Sequence, residues 1–467
     1  MRTLKSFLTL FLAVSFFVAC SDDDDAVDDD MQAVATCDDG VQNGDETGVD
    51  CGGSCEPCEV AATCDDGIQN GDEEGVDCGG SACEPCTTGI DIPTTYVFER
   101  DGASTVSFSG QTTRLLMANE IIDALRDPSS TNEQIQAMFA HVEGTDNFSD
   151  PDLNASDKNV KSKTAASFDY FSNEPVVQAE VRADFDAYIA AQVNDVFPNW
   201  NEVATEGSAG QLPDGSSTRY VNGSGLELDQ AWIKGLIGAF VGDQILNNYT
   251  SPNQLAQFEQ ENDDEVIVEG KTYTDMEHDW DEAYGYAFGV VADTENPVAD
   301  VDALDAVDEF LAKYIKRVDN DPTFTGIAQE IFDAYKAGRT AIVNKDYDER
   351  DAQADILRAE IAKVIAVRAV FYLQAGKTKI EAVGEPGDIF HDLSEGFGFI
   401  YSLQFTRRPG AEDAYFTRME VLDFIDQIYT DNTNGFWNVT PASLDMVSEA
   451  IAAKFDFTVA DAADSNN

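Results

Sequence analysis

The chain has 467 residues, 43% apolar and 10% aromatic, enough to bury one large core or two ordinary ones and too apolar to stay unfolded throughout. With 89 acids against 28 bases its formal charge is −61, and a surface of that sign repels a phosphate polymer, which excludes nucleic acid as a partner. The same charge suits a very soluble protein, or one that handles cations.

Residues 1–19 read as an export signal, with Arg2 and Lys5 ahead of an apolar run from Phe7 to Val18. The run is shorter than the ~20 residues a membrane-spanning helix needs. It ends in Val18-Ala19-Cys20, which resembles a bacterial lipobox, although Phe17 stands where that pattern has an aliphatic residue. The resemblance implies that Cys20 is lipidated and anchors the chain in outer-membrane lipid. The alternative is an ordinary secretory signal with a stray cysteine. Residues 20–36 form an acidic tether opening on Ser-Asp-Asp-Asp-Asp. An acidic run at that place resembles the surface-export signal of Bacteroidetes-type lipoproteins and implies an anchor facing the cell exterior. The competing readings are the periplasmic face and a plain solvated tether.

Beyond Cys20 there are eight cysteines, all between Cys37 and Cys86, in two copies of one unit at residues 37–58 and 64–86. Each copy carries four: Cys37, Cys51, Cys55 and Cys58, then Cys64, Cys78, Cys83 and Cys86. Four cysteines per unit in an exported chain imply two disulfides per unit, because so short a unit cannot fold on an apolar core. The pairing stays open among three connectivities. Cys55-x-x-Cys58 and Cys83-x-x-Cys86 also have zinc-site spacing, but an oxidising compartment favours disulfides. Between the cysteines, Asp38, Asp45 and Asp50, with Asp65, Asp72 and Asp77 in the second copy, lie among glycines. Hard oxygen donors on bent loops are calcium candidates, although the spacing is not that of an EF-hand. A solvated spacer with Asn-Gly and Asp-Gly turns is the alternative. The units resemble small Cys- and Asp-rich repeats near the N-termini of bacterial surface proteins.

Residues 90–460 read as one large helical domain. It opens on a hairpin, with "TYVFER" and "STVSFS" alternating around Asp101-Gly102, the only convincing strand pattern. From Thr112 onward apolar residues recur three and four apart, as in "RLLMANEIIDALR", "VDALDAVDEFLAKYIKRV" and "ADILRAEIAKVIAVRAVFYL". Segments such as "NEVATEGSAGQLPDGSSTRYVNGSG" read as loops. The fold class expected is all-α: a bundle of about ten helices behind a short hairpin, single or duplicated, with a small disulfide-rich region before it. The most apolar segment, "AWIKGLIGAFVGDQIL", holds Lys234 and Asp243 and reads as a core helix.

Among catalytic signatures, H-E-x-x-H, G-x-S-x-G and G-x-G-x-x-G do not occur. Gly376-Lys377-Thr378 lacks the glycine five positions earlier that a phosphate loop needs, Phe371 standing there. No nucleophile–base set is visible, so no enzyme is expected. What does stand out is a rhyme between "HDWDEAYGYAFG" and "HDLSEGFGFIYS". His278 and Glu282, like His391 and Glu395, are four apart and share a helix face with Gly285 and Gly398. Two histidines and two carboxylates brought together suit iron or zinc, the histidines as nitrogen ligands and the glutamates as oxygen ligands or orienting groups. The structural alternative is tight helix packing at the glycines, with each His–Glu pair satisfying polar groups at the crossing. His141, the third histidine, has no such setting.

These two segments and "PTTYVFERDGASTVSFSGQTTRL" resemble, over residues 91–460, a family of Bacteroidetes lipoproteins carrying a domain of unknown function. That family is similar in turn to imelysin-like proteins, duplicated helical-bundle lipoproteins linked to iron or haem uptake. The imelysin motif has histidine and glutamate three apart and here they are four apart, so neither its metal geometry nor a peptidase activity carries over. The resemblance implies a surface-anchored protein that binds a metal or metal-bearing ligand in iron or haem acquisition, with a surface receptor or uptake complex as partner. A structural or adhesive surface protein without a small-molecule site is the competing reading.

Overall fold

A computed structural model describes residues 37–56, 58, 63–64, 70–71, 78, 80–83, 89–307 and 309–463. The export segment, Cys20, the tether, Asp65, Asp72, Asp77 and Cys86 lie outside the described residues. The chain divides into two compact units, Met1–Thr87 and Thr88–Asn467.

In the first unit Cys37 pairs with Cys55 and Cys51 with Cys58, and Cys64 pairs with Cys83 in the second copy. Cys78 is also disulfide-bonded. Among the described residues of this unit no apolar side chain is buried, so the staples do what a core does elsewhere. Carboxylates help to close the loops. Asp50 accepts hydrogen bonds from the backbone N–H groups of Asp39 and Gly40, and Asp45 accepts one from the Ser54 hydroxyl.

The second unit is mainly helical, as the periodicity predicts. A first hairpin joins β1 (Glu99–Arg100) to β2 (Ala103–Ser104). Its turn residues Asp101 and Gly102 both have positive φ, 54° and 77°, the backbone that matches strand twist in a two-residue turn. Among the described residues eleven α-helices have eight residues or more. They are α1 (Ser109–Leu125), α2 (Asn132–Phe139), α3 (Pro175–Ala191), α4 (Leu228–Leu236), α5 (Asp275–Phe288) and α6 (Leu311–Asp319), followed by α7 (Ile327–Asn344), α8 (Tyr347–Glu381), α9 (Pro386–Ser402), α10 (Arg418–Ile425) and α11 (Pro441–Ala452).

Two stretches differ from expectation. Residues 201–225 hold a second hairpin rather than loop alone: β3 (Gly210–Asp214) pairs antiparallel with β4 (Ser217–Val221). Its apolar alternation is thin, and Pro213 weakens the strand pattern. The segment "VDALDAVDEFLAKYIKRV" is not one helix; only Leu311 onward joins α6. A short 3₁₀ stretch at Pro297–Ala303 breaks at Asp300. The chain then folds back so that Lys316 reaches the Asp302 carbonyl and the Asp305 carboxylate.

The centre of the unit is α8, 35 residues long, packed against α7, α9 and α11, while α9 packs in turn on α4. Every residue from Gly225 to Asn247 is buried. This segment is buried on every face, polar side chains such as Lys234 and Asp243 included, the mark of a helix enclosed by others. It continues past α4 through π-helical turns at Ile237–Gly242 and Ile245–Tyr249. Among the described residues no helix is long and apolar enough to cross a membrane.

A buried ion network ties the first hairpin to the bundle. Arg339 on α7 donates to Glu277 and Asp281 on α5, both at 3.1 Å, and to Thr105 at 3.0 Å. Arg100 forks onto the two oxygens of Glu277 at 2.9 Å each, and the Tyr96 hydroxyl donates to Asp281 at 2.8 Å. The side chains of Arg339 and Asp281 are wholly enclosed. Removing one member leaves uncompensated charge in a poorly polarisable interior. Arg339→Ala is expected to lower unfolding free energy by about 3–5 kcal/mol, read as a lower urea midpoint. An Arg339→Ala protein with the parent midpoint would show that the network does not hold the hairpin in place.

Candidate functional site

The two rhyming segments fold into matched helices. Segment one lies on α5, which starts in a capping box: the Thr274 hydroxyl accepts from the Glu277 N–H, and the Glu277 carboxylate accepts from the Thr274 N–H. His278 Nε2 lies 3.9 Å from Glu282 Oε1, and the Tyr273 ring stacks on the imidazole with centroids 4.4 Å apart. Gln111 on α1 donates to Glu282 at 2.6 Å. Gly285, one turn on, faces the same helix; a Cβ there would lie 2.4 Å from Phe108 Cβ and 3.1 Å from Gln111 Cβ. Burial lowers the pKa of His278 against the pull of Glu282. Burial also pushes the neighbouring Asp279 carboxyl up to about 7, although Gln254 donates to it.

Segment two lies on α9 and repeats this crossing with a charge added. Lys234 on α4 takes the place of Gln111. Its ammonium lies 3.3 Å from Glu395 Oε1, and its Cβ would lie 2.4 Å from a Cβ on Gly398. In both copies, then, one residue of the crossing helix packs its stem over the glycine and sends its tip to the glutamate three residues earlier. The missing Cβ permits the close approach. His391 goes its own way: its Nδ1 lies 2.7 Å from Glu227 Oε2. Burial alone would lower the His391 pKa, but the hydrogen bond and charge of Glu227 outweigh it and raise it. Burial likewise works against the charge on Glu395. Lys234, His391, a hydrogen bond from Tyr372 and Arg368 prevail and hold that carboxyl at about 2.

The structure therefore brings His278 to Glu282 and places His391 and Glu395 in a second, separate neighbourhood. The four do not gather into one donor set. Among the described residues the group of three or more His, Cys, Asp or Glu donor atoms lying within 4.8 Å is Cys37, Glu46 and Cys55. There the two sulfurs are already joined, so the thiolates a metal prefers do not exist. His141 is buried, with Nδ1 2.7 Å from Asn147 Oδ1 and an edge contact between its ring and Phe148.

The copies differ in what lies beside them. His391, Asp392 and Glu395 line a cavity of about 410 Å³ with residues of α6 and α8. Sequence reasoning did not single out Asp392, Glu227 or the α8 side chains, and it read Lys234 only as a charge within a core helix. One signal pointed to two of them: Lys234 and Arg368 are single cations inside otherwise apolar helical runs. A charge in such a place needs a buried partner or a ligand.

A family model described as a domain of unknown function (DUF4856) matches residues 93–458. The chain belongs to the DUF4856 family. It matches no curated protein and no solved structure. Both motif copies and the cavity fall inside the DUF4856 domain.

Gly398→Ala in the DUF4856 domain is expected to cost about 1–3 kcal/mol by forcing α4 and α9 apart, and Gly285→Ala a similar amount, both read from urea denaturation. Glu395 has its pKa depressed from 4.5 to about 2. It therefore contributes stability fully above its unfolded pKa of 4.5 and loses it as the pH falls toward 2. A Glu395→Gln protein should show a flatter fall in stability across that window than the parent. Equal slopes would mean that Glu395 is not held ionised by its neighbours.

Proposed function

We propose that the chain is a lipid-anchored binding protein on the outer membrane, without catalytic activity, whose DUF4856 domain faces the exterior and binds a metal-bearing ligand in iron or haem acquisition. The export segment with its Cys20 lipobox and the acidic tether support the address. The resemblance of the two motif segments to a lipoprotein family that is similar in turn to imelysin-like proteins supports the role. The observation that carries the binding reading is the second motif. His391 and Glu395 border a cavity instead of being sealed into the crossing as a packing device requires.

The geometry favours a metal-bearing ligand over a bare ion there. A bare cation would have to displace Lys234 from Glu395 and Glu227 from His391, which leaves two charged groups without partners. A complex that brings its own donors needs only a face of the cavity. The first motif, with His278 and Glu282 3.9 Å apart and no lysine between them, is where a bare iron or zinc ion finds less opposition. Calcium in the disulfide repeats remains part of the proposal, though Asp45 and Asp50 already hold loop hydrogen bonds. A surface receptor or uptake complex would take the ligand onward.

The competing reading is a structural or adhesive surface protein. It is favoured by the glycine crossings, which account for half of each motif by packing alone. The test uses the purified full-length protein with zinc, iron(II) and haemin as probes, beside a His278→Ala/His391→Ala double variant. Near-stoichiometric binding of haemin or of a metal, lost in the folded variant, is the expected result. If the parent binds none of the three and the variant is merely less stable, the motifs are packing devices and the binding role falls.

A further inference from the structure

The cavity beside His391 reverses the charge of the domain around it. In residues 90–467 acids outnumber bases 68 to 26, yet the cavity is lined by four bases, Lys313, Arg317, Arg368 and Lys379, and only two acids, Asp392 and Glu395. Both acids are matched already. Lys379 meets Asp392 at 2.6 Å, and Lys234, behind the wall, meets Glu395 at 3.3 Å. Lys379 also meets Asp388, and Lys313 pairs with Glu309 at 2.7 Å. Arg317 is partly exposed and has no hydrogen-bond or ion-pair partner among the described residues. The charge of Asp305 is felt there, but no carboxylate is bonded to the Arg317 head, which leaves its donors open to an anion from outside.

The rest of the wall is aromatic. The Arg368 guanidinium lies against the rings of Phe371 and Tyr372, 4.2 and 4.5 Å from their centroids, a packing that holds a planar cation rigid and only partly hydrated. Cations and ring surface in one cavity match a ligand with an acidic head and an apolar body. We infer that this cavity binds a small organic anion, its carboxylate taken by Arg317 with Lys313 beside it and its apolar body set against Phe371 and Tyr372. The assignment rests on the charge and shape of the wall and does not require that the ligand carry a metal.

The test is calorimetric titration of the full-length protein with phthalate, citrate and inorganic phosphate, in buffer freed of metal by a chelating resin. Phthalate should bind most tightly, because it alone has both a carboxylate pair and a ring. Arg317→Gln, a partly exposed site, should weaken it by about 10- to 100-fold, the loss of a charge-assisted contact, and Lys313→Gln by less. Lys345→Gln, outside the cavity lining at an exposed ion pair with Glu265, should bind like the parent. Tighter binding of phosphate than of either carboxylate would replace the carboxylate assignment with a phosphate one. Failure of all three anions to bind the parent, or unchanged binding by both Arg317→Gln and Lys313→Gln, would overturn the assignment altogether. A protein that binds phthalate without metal, but neither haemin nor a metal ion, would keep this inference and lose the iron reading.

Discussion

The second half of the helical unit is organised around one buried ammonium. Lys234 sits in a helix enclosed on every side, with its side chain only 2% exposed. An ammonium stripped of water there is untenable alone, so a carboxylate must stand within a few ångströms of it. Glu395 is that group. It reaches Lys234 only because Gly398 lets α9 lie directly on α4. The lysine, the glutamate and the glycine therefore form one device, and changing any one of them disturbs the other two. The first copy keeps the geometry with Gln111 in place of the lysine, which removes the demand for a counter-charge and leaves a neutral donor on Glu282. The copies thus share a packing role and part company in electrostatics.

The same economy runs through the unit. Although bases are scarce, Arg339, Arg350 and Arg368 rank among its largest fully buried side chains. Arg339 joins the first hairpin to α5 and α7, and Arg350 meets Glu259 and Asp351. Several of the few cations therefore serve interior joints, where buried carboxylates meet them. A cavity rich in bases is the exception to that pattern, and so the part of the surface that most needs an explanation beyond folding.

Much of this was legible in the chain. Asp101-Gly102 located a turn that needs two positive φ angles, and the three-four periodicity found the helices because each buries one apolar stripe. The cysteine spacing identified the stapled repeats, since no other cohesion is available to so short and acidic a segment. The rhyming segments revealed a duplicated helix face. What stayed hidden was tertiary. Gln111 and Glu282 are 171 positions apart and Glu227 and His391 164 apart, and no local pattern links them. The second hairpin escaped because its strands are short and half exposed, with Pro213 in one of them. The expectation of four ligands converging assumed that matched motifs face each other. Each instead faces its own crossing helix, which is what a glycine on the same stripe favours.

The chain has three histidines, and they report on three different places: a buried turn at His141, the first crossing at His278 and the cavity at His391. Nitrogen-15 NMR of histidine-labelled protein during titration with phthalate therefore tests the cavity most directly. The account predicts that the His391 imidazole signals move with the binding isotherm while those of His141 stay fixed. Saturable binding that leaves His391 unmoved would place the ligand elsewhere and return the second motif to a packing role.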